Sequence, residues 1–252
     1  MLVKKWEKLP PELQREEVRP YYEILRRRCV SLFFKRVFDI LVSLVLLLLL
    51  LPLFLILAIA IKLDSPGPVF YRQVRVTQYG KTFRIFKFRS MVNHADRGSQ
   101  VTVGQDSRIT RVGKFIRKCR LDEVSQLIDV LRGKMTFVGT RPEVPRYVEK
   151  YTPEMMATLL LPAGITSEGS IRYKDEAMLL EGAEDTDLVY VEKVLPGKMK
   201  YNLESLKRCG FFRDLATMLR TVLAVLGKDY GEKAPPAQEM PQSEESEVSG
   251  NE

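Results

Sequence analysis

The sequence predicts an α/β fold: a small, mostly helical domain with a short β-hairpin or sheet, attached to a long apolar helix near the N-terminus. Three observations lead to this prediction. A nearly uninterrupted apolar run fills residues 37–61, and two runs rich in β-branched and aromatic residues follow at 69–76 and 82–88. Beyond them, apolar residues recur mainly at the spacing of amphipathic helices.

Composition divides the 252 residues into four segments. Residues 1–36 form an N-terminal amphipathic arm, 37–61 the apolar helix, and 62–227 a folded domain of ordinary size. Residues 228–252 are acidic, rich in Pro, Ser and Glu, and contain almost no large apolar side chain. Such a tail cannot bury enough surface to offset its ordering entropy, so we predict that it is disordered.

The apolar run is long enough for a membrane. As a helix it extends about 37 Å, whereas the hydrocarbon core of a bilayer is about 30 Å thick. However, Pro52 interrupts the helix past its middle, and both flanks are basic, so the positive-inside rule selects neither end. The residues alone favour a single span. The alternative is a re-entrant hairpin broken at Pro52, with both flanks on the cytoplasmic side. The run is too long and too far from Met1 for a cleaved signal peptide.

The arm contains a helical pattern at 21–34, in which aromatic and aliphatic residues surround three consecutive arginines at 26–28. Two placements suit such a helix. It lies on a membrane surface, or it packs on the folded domain.

Charge and cysteine usage narrow the class of protein. The net charge of +8 suits phosphorylated substrates, anionic lipids or nucleic acid, and beside a membrane segment the first two take precedence. Cys29, Cys119 and Cys209 are odd in number and lack metal-ligand spacing, which suits a reducing cytoplasm. The single histidine, His94, lies in a polar loop, and we assign it no chemistry.

The remaining elements follow in chain order. The two β runs pair as a hairpin around a turn at 78–81, and 91–105 is a long polar loop. Residues 107–131 are helical, with a second helix beginning at Asp122 and ending at Gly133. The prediction is completed by a strand at 136–138, a helix at 144–161 broken by Pro153, a loop at 162–173, and helices at 187–195, 198–209 and 214–226.

The adjacent carboxylates Asp122 and Glu123 are the first candidate site residues. At a helix start, an aspartate commonly caps the helix and meets the positive end of its dipole. Following a cationic segment, the same pair also suits a nucleophile or a Mg²⁺ ligand that acts on a phosphate. The doublet alone favours the cap.

A set of basic residues is the second candidate. Lys87 and Arg89 end the predicted hairpin, Arg117 and Arg120 precede the carboxylates, and Arg141 follows the 136–138 strand. A phosphoryl site needs such donors, because arginine forks match phosphate oxygens. A solvated or headgroup-facing basic surface explains the same residues equally well.

Several longer motifs resemble one family. These are KRVFDI before the apolar run, then SPGPVFYRQVRV, FRIFKFRSM, RLDEVSQLIDVLRGKMTFVGTRPEVP and LLPAGIT. Together, in this order from about Lys35 to Gly227, they resemble the bacterial sugar transferases. These are monotopic phosphoglycosyl transferases, which start glycan assembly on polyprenyl (undecaprenyl) phosphate.

The resemblance implies an activity and a location. By analogy with the family, Asp122 attacks the β-phosphorus of a UDP-sugar, expels UMP and becomes a phosphosugar ester, from which polyprenyl phosphate takes the phosphosugar in a ping-pong scheme. Asp122 and Glu123 would act with Mg²⁺, while Arg117 and Arg141 would hold phosphate or uridine groups. The helix broken at Pro52 would be re-entrant in the inner leaflet of a bacterial inner membrane. The catalytic domain at 62–227 would lie on the cytoplasmic face.

One loop departs from the family pattern. After the GIT triplet many relatives have glycine, an aromatic residue and a basic-ended turn, whereas this sequence reads GITSEGSIRYK. We expect Arg172 or Lys174 to supply the basic group for substrate binding. The sequence identifies neither the sugar nor the oligomeric state, with a homo-oligomer among the alternatives.

Two other classes compete with an enzyme. A non-catalytic membrane adaptor of glycan assembly would have the same architecture with a decayed site, which the intact Asp122–Glu123 pair argues against. A membrane-tethered nucleic-acid binder would place aromatics among its basic residues, and 87–118 largely lacks them past Met91. We therefore expect no nucleic-acid partner.

Overall fold

The computed structural model describes residues 3–92, 107–174, 176–180 and 185–225. Within them the chain is mostly helical, with three small two-stranded sheets. The predicted disordered tail at 228–252 and His94 lie outside the described residues.

The α-helices are distributed along the described chain from Arg19 to Val225. They are α1 (Arg19–Arg27), α2 (Cys29–Leu49), α3 (Leu51–Asp64), α4 (Arg111–Lys118), α5 (Leu127–Leu131), α6 (Pro145–Val148), α7 (Glu168–Arg172), α8 (Glu176–Leu179), α9 (Thr186–Val189), α10 (Leu195–Lys207) and α11 (Phe211–Val225). Short 3₁₀ turns lie at Trp6–Lys8, Pro11–Leu13, Gln78–Gly80, Leu121–Gln126 and Met155–Leu160, and a π-turn at Tyr190–Val194.

The predicted hairpin forms, but each of its runs divides into two short strands. The strands are β1 (Phe70–Tyr71), β2 (Val74–Val76), β3 (Thr82–Arg84) and β4 (Lys87–Phe88), with β5 (Met135–Val138) and β6 (Ala163–Thr166) farther along the chain. The antiparallel pairs are β1 with β4 and β2 with β3, whereas β5 and β6 are parallel. The 3₁₀ turn between β2 and β3 has positive φ at Tyr79 and Gly80, which suits a tight reversal.

The long apolar run is two helices rather than one. Leu50, at φ −90° and ψ 2°, separates α2 from α3, and Pro52 occupies the first turn of α3, where its missing N–H costs nothing. Among the described helices, none alone is long and apolar enough to cross a bilayer. The pair reaches that length and composition only together, with a 61° bend.

Polar side chains fasten the first of these helices to the domain. The buried carboxylate of Asp39 accepts a hydrogen bond from the Thr136 hydroxyl (2.7 Å) and one from the backbone N–H of Phe137 (3.3 Å). One turn earlier, Lys35 donates to the carbonyl of Val138 (2.8 Å) and pairs with Asp214 of α11. These contacts join α2 to β5, the strand that leads to Arg141.

A second set of contacts fastens the end of α3. Leu57 and Ile61 pack with Phe88 of β4 and Ile116 of α4. Asp64, the last residue of α3, accepts a hydrogen bond from the backbone N–H of Val112 (2.9 Å). The same domain therefore holds the outer end of each half of the broken helix.

The arm packs on the domain rather than standing apart from it. Its predicted helix divides at Arg28 into α1 and the start of α2, and Tyr21 and Leu25 of α1 are buried with Leu160 and Leu203. Of the two placements expected for this helix, the described structure has the packed one.

The predicted loop at 162–173 is wrong, because this segment forms β6 and α7. Gly164 belongs to the parallel strand and lies so close to Gly139 that a Cβ on Gly164 would collide with the backbone of Gly139. The glycine thus marks a close approach of two chain segments rather than a turn.

Other boundaries also differ. The predicted helix at 144–161 is only α6 and a 3₁₀ turn, separated around Pro153. The two helices predicted on either side of Pro196 are joined without a break, because α9 continues through the π-turn into α10, and Pro196 sits in the first turn of α10, where proline is tolerated. The last helix, α11, confirms the prediction for 214–226 to within a few residues.

Candidate active site

The carboxylate pair lies on the 3₁₀ turn Leu121–Gln126, between α4 and α5. Arg120 precedes this turn with φ +55°, a left-handed conformation that separates it from α4. The predicted helix start at Asp122 is therefore this 3₁₀ turn, and α5 begins five residues later. No side chain among the described residues caps this turn, so a capping hydrogen bond does not account for Asp122.

The two oxygens of Asp122 have different surroundings. The residue is 4% exposed, and its Oδ2 lies 2.9 Å from Nζ of Lys87 on β4. Its Oδ1 is buried without a hydrogen-bond partner among the described residues. Buried polar atoms are nearly always paired, so this oxygen is a candidate for contact with a ligand.

Glu123 is held by an arginine fork. Both Nη atoms of Arg141 pair with its carboxylate, one at 3.0 Å, and Lys87 Nζ lies 3.6 Å away. Burial disfavours the charged form of Glu123, but Arg141 and Lys87 outweigh it and lower the pKa of Glu123 far below its ordinary value. The same carboxylate raises the pKa of Arg141. The pair is therefore ionised at neutral pH.

Strand β5 delivers Arg141 to this position. The strand ends at Val138, and the backbone of the next two residues is bonded to the β6 segment, through Gly139 N–H to Thr166 O (3.0 Å) and Gly164 N–H to Thr140 O (2.9 Å). Arg141 also donates to the carbonyl of Ile165 (3.4 Å). The guanidinium is thus fixed from the strand side and the carboxylate side.

Lys87 and Arg141, the cationic partners of the two carboxylates, line a cavity of about 900 Å³. Its described lining includes nine cationic side chains, namely Arg72, Arg75, Arg84, Lys87, Arg89, Arg108, Arg117, Arg141 and Arg146. The acidic residue in this lining is Glu149. A concave site of this size and charge suits a ligand with several phosphate oxygens.

The predicted cationic residues separate into two groups. Lys87 and Arg141 contact the carboxylates, and Arg117 lines the same cavity. Arg89 also lines it, but its buried guanidinium donates to the carbonyls of Ser65 (2.6 Å) and Pro66 (2.8 Å), just after α3. Arg89 therefore links the cavity wall to the broken helix.

Arg172 and Lys174, predicted from the loop after the GIT triplet, are not among the described residues that line this cavity. Arg172 instead ends α7, with its guanidinium 4.7 Å from the ring centre of Tyr201. Their substrate-binding role stays a prediction.

Three site residues were not singled out from the sequence. Arg75 of β2 lines the cavity and donates to the carbonyl of Pro142 (3.0 Å), next to Arg141. Glu143 is buried, accepts a hydrogen bond from the Tyr190 hydroxyl (2.7 Å) and lies 3.8 Å from Arg75. Gln126, at the end of the 3₁₀ turn, also lines the cavity. In the sequence, Gln126 and Glu143 lie within four residues of Asp122 and Arg141, and Arg75 lies in the motif SPGPVFYRQVRV.

The donor set bears on the predicted metal. Among the described residues, no group of three or more His, Cys, Asp and Glu side chains could hold a metal ion by itself. Mg²⁺, however, commonly binds through one or two carboxylates, while substrate phosphates and water complete its shell. The unpartnered Oδ1 of Asp122 and the adjacent Glu123 fit that kind of site.

The chain is similar to known proteins. Residues 30–228 match the family described as bacterial sugar transferase. A UDP-N-acetylgalactosamine-undecaprenyl-phosphate N-acetylgalactosaminephosphotransferase of Aeromonas hydrophila is 34% identical over 201 residues, which are 78% of this chain and 44% of that protein.

Two further relatives are named UDP-glucose:undecaprenyl-phosphate glucose-1-phosphate transferases. The Caulobacter vibrioides protein is 36% identical over 77% of this chain and 70% of its own length. The Escherichia coli protein is 37% identical over 65% of this chain and 37% of its own length, so this chain spans well under half of some relatives. The family match covers most of the chain, and the chain belongs to the bacterial sugar transferase family.

Proposed function

We propose that this chain transfers a sugar 1-phosphate from a UDP-sugar to polyprenyl phosphate and releases UMP. The observation that carries the proposal is Asp122, a buried carboxylate with one oxygen on Lys87 and one without a partner, beside an arginine-lined cavity. The relatives' names support the reaction class. Because those names specify different sugars, the proposal covers UDP-sugars as a class.

In the first half-reaction, an oxygen of Asp122 forms a bond to the β-phosphorus of the donor. The bond from that phosphorus to the bridging oxygen breaks, and its electron pair leaves with UMP. Lys87, Arg117 and Arg141 would stabilise the charge that develops on the phosphate oxygens. The product on the enzyme is an acyl phosphate ester of Asp122 that carries the sugar.

In the second half-reaction, a phosphate oxygen of the polyprenyl phosphate attacks the same phosphorus. The bond to Asp122 breaks, the carboxylate is restored, and the lipid leaves as a polyprenyl diphosphate sugar. A covalent intermediate lets a water-soluble and a membrane-confined substrate use one pocket in turn.

Asp122 and Glu123 are the residues that would hold Mg²⁺. When bound there, the ion would neutralise diphosphate charge and improve the leaving group. Arg141 keeps Glu123 ionised and oriented in either case. Arg89 would act at a distance, by holding the end of α3 against the cavity wall.

We also propose that α2 and α3 form a re-entrant membrane segment. Side chains on both sides of the break are apolar and more than half exposed, including Leu41, Leu48, Leu49, Leu51, Leu55, Ile56 and Ile59. Because one domain holds the outer ends of both helices, those ends belong on the same side of a bilayer. Their basic flanks would place this side at the inner leaflet of the bacterial inner membrane, with the domain facing the cytoplasm.

The proposal is tested by replacing the nucleophile. Asp122→Asn keeps the side-chain volume but is a far weaker nucleophile, so UMP release from a UDP-sugar plus undecaprenyl phosphate should fall to background. Labelling of the protein by a donor radiolabelled in its sugar should also disappear. Normal turnover by Asp122→Asn would contradict the mechanism. A correctly folded wild-type chain that releases no UMP from any donor would favour the adaptor.

A further inference from the structure

Helix α11 has the reverse of the usual polarity of a surface helix. Such a helix normally buries its apolar face against the domain and exposes its polar face. In α11, polar side chains make the bonds to the domain. Asp214 pairs with Lys35 of α2, and the Thr217 hydroxyl donates to the carboxylate of an α7 residue, Glu168 (2.8 Å). These bonds, alongside the partly buried Met218, hold α11 on the domain.

The outward face of α11 is a row of large apolar side chains. Their exposed fractions are 82% at Phe212, 47% at Leu215, 61% at Leu219 and 56% at Val222. At 3.6 residues per turn, these four positions lie within a sector of about 80° around the helix axis. Single exposed apolar residues are ordinary on a protein surface, whereas a contiguous row indicates contact with an apolar partner.

The row lies on the helix next to the broken apolar segment. Phe211, which precedes the row, packs edge-to-face on Phe38 of α2, with ring centres 5.4 Å apart. Exposed apolar side chains also follow α2 at helical spacing, namely Val30, Phe33, Phe34, Val37, Ile40, Leu41, Leu44, Val45 and Leu48. Two packed helices therefore both present apolar residues away from the domain.

Basic side chains surround the N-terminal end of α11. Arg28, at the junction of α1 and α2, donates to the carbonyl of Cys209, just before α11. The exposed cations of this region are Arg27, Arg28, Lys207, Arg208 and Arg213. Of these, Arg208 also pairs with Glu204. Cations beside an apolar row are typical of a helix that lies in the interface of a bilayer with anionic lipids.

Lipid suits this face better than protein does. Anionic headgroups would pair with the cations, whereas a second copy of the chain offers a surface of the same sign, because the net charge is +8. The segment that follows α11, residues 228–252, contains almost no large apolar side chain and is therefore unsuited to covering the row.

We propose that α11 lies in the interface of the same leaflet as the broken helix, with its apolar row in contact with acyl chains and Arg213 among the headgroups. The inference rests on the proposed re-entrant membrane segment, α2 and α3, and adds a second membrane contact at the other end of the described chain. Two separate contacts would fix the tilt of the domain on the bilayer, which a single anchor leaves free.

Depth-dependent quenching tests the contact. In the full chain, with its three native cysteines replaced by serine, Leu219→Cys or Phe212→Cys would carry an NBD fluorophore attached through a maleimide. In vesicles of phosphatidylethanolamine and phosphatidylglycerol, lipids with a nitroxide on the acyl chain should quench both labels, and aqueous iodide should quench neither. Because both native side chains are mostly exposed, their replacement leaves the contacts of the domain intact.

Two labelled positions serve as controls. Leu55→Cys lies on the exposed face of α3 and should give the same result as the α11 labels. Lys81→Cys is exposed at the tip of the hairpin, at the opposite end from the β1–β4 pair, whose Phe70 and Phe88 pack with α3. Iodide should quench the Lys81→Cys label, and the nitroxide lipids should not.

The outcomes separate this inference from the proposals on which it rests. If Leu55→Cys is shielded while both α11 labels respond to iodide as Lys81→Cys does, the inference is wrong and the broken helix still enters the membrane. An iodide-accessible Leu55→Cys label would overturn the proposed membrane segment, and this inference with it. Shielding of Leu219→Cys only in nanodiscs that hold two chains, and not in those that hold one, would assign the row to a second copy and overturn the lipid contact.

Discussion

At the scale of single residues, the two adjacent carboxylates of the site have different partners. Both Nη atoms of Arg141 pair with ionised Glu123, whereas Asp122 pairs with Lys87 through one oxygen and has no partner for the other among the described residues. Attack by Glu123 would cost its bidentate ion pair with Arg141, whereas Oδ1 of Asp122 has no such pair among the described residues to lose. For this reason the proposed mechanism takes Asp122 rather than Glu123 as the attacking group.

The Glu123–Arg141 pair predicts a pH-dependent stability. The ordinary pKa of the glutamate is 4.5, and the pKa in the folded chain is lower, so below about pH 4.5 the unfolded chain takes up a proton that the folded chain does not. The stability contributed by Glu123 is thus complete above this pH and decreases as the pH falls. Glu123→Gln should reduce the free energy of unfolding by about 1.5–3 kcal/mol at pH 7.

Denaturant unfolding in detergent between pH 3 and 8 measures this difference. The difference in the free energy of unfolding between wild type and Glu123→Gln should become smaller as the pH falls below 4.5. The control is Glu204→Gln, which breaks the exposed pair of Glu204 with Arg208 and should cost about 1 kcal/mol or less. A gap that is equal at pH 3 and pH 7 would contradict the assigned pKa direction.

Sequence patterns found some residues of this site and missed others. Lys87, Arg117 and Arg141 lie in distinctive motifs and line one cavity, and Asp122 contacts Lys87. Gln126 has no charge and no repeated partner in sequence, so nothing local distinguished it from a helix residue. Its contact with the cavity depends on the 3₁₀ geometry, which apolar periodicity does not reveal.

At the scale of elements, the broken helix depends on a few polar bonds rather than on apolar contact alone. Asp39 is the strongest case, since it satisfies both the Thr136 hydroxyl and the Phe137 N–H inside the domain. Apolar side chains of α2, such as Phe38 and Val42, pack on the same cluster as β5 and supplement these bonds. Because β5 leads to Arg141, the same bonds connect the helix to the active site.

Asp39→Ala should therefore destabilise the fold. It leaves two buried groups of β5 without an acceptor, with an expected loss of about 1–3 kcal/mol in the free energy of unfolding. Ser43→Ala is the matched control, because the Ser43 hydroxyl donates to the Ile40 carbonyl of its own helix (3.1 Å), and its loss should cost about 0.5 kcal/mol or less. Equal stability of Asp39→Ala and wild type would show that α2 does not depend on this bond.

The elements that sequence reasoning missed have tertiary causes. The sequence predicts a loop at 162–173, but the approach of Gly139 requires glycine at Gly164 within a buried parallel strand. Arg28 lies within an apparently continuous helical pattern, yet its φ of −103° and ψ of 23° end α1 there. At Gly164 a contact distant in sequence overrides the local preference.

At the scale of the whole molecule, one compact domain binds both outer ends of a bent apolar segment. Asp39 and Lys35 hydrogen-bond α2 to the domain, and Asp64 and Arg89 do the same at the end of α3. A single span would separate these two sets of contacts by the thickness of a bilayer. These contacts are the argument for the proposed re-entrant segment.

Two native cysteines test this arrangement. Cys29, exposed at the start of α2, and Cys119, exposed after α4, flank the apolar segment on opposite sides in sequence. Each of the two is tested in a variant in which Cys209 and the other member of the pair are replaced by serine. The remaining cysteine should react with a membrane-impermeant maleimide in inverted vesicles and be protected in right-side-out vesicles. Opposite accessibility of Cys29 and Cys119 would indicate a single span. Labelling of detergent-solubilised protein is the control for the intrinsic reactivity of each cysteine with the maleimide.

The bend would also determine how far from the bilayer the reaction takes place. A segment that returns to its side of entry holds the domain against the headgroups, where the phosphate of a polyprenyl lipid lies. The cationic cavity and Asp122 would then serve a soluble donor and a membrane-bound acceptor without moving either far. Such positioning supplies much of the advantage of a bound over a free reaction.

The mass of the chain after incubation with a UDP-sugar alone tests the covalent step most directly. Without polyprenyl phosphate the intermediate has no acceptor, so after a rapid acid quench the peptide that contains Asp122 should be heavier by one phosphosugar. Adding undecaprenyl phosphate before the quench should remove this increase. An unmodified Asp122 under single-turnover conditions, in a protein that still releases UMP and forms the lipid product, would contradict the covalent mechanism.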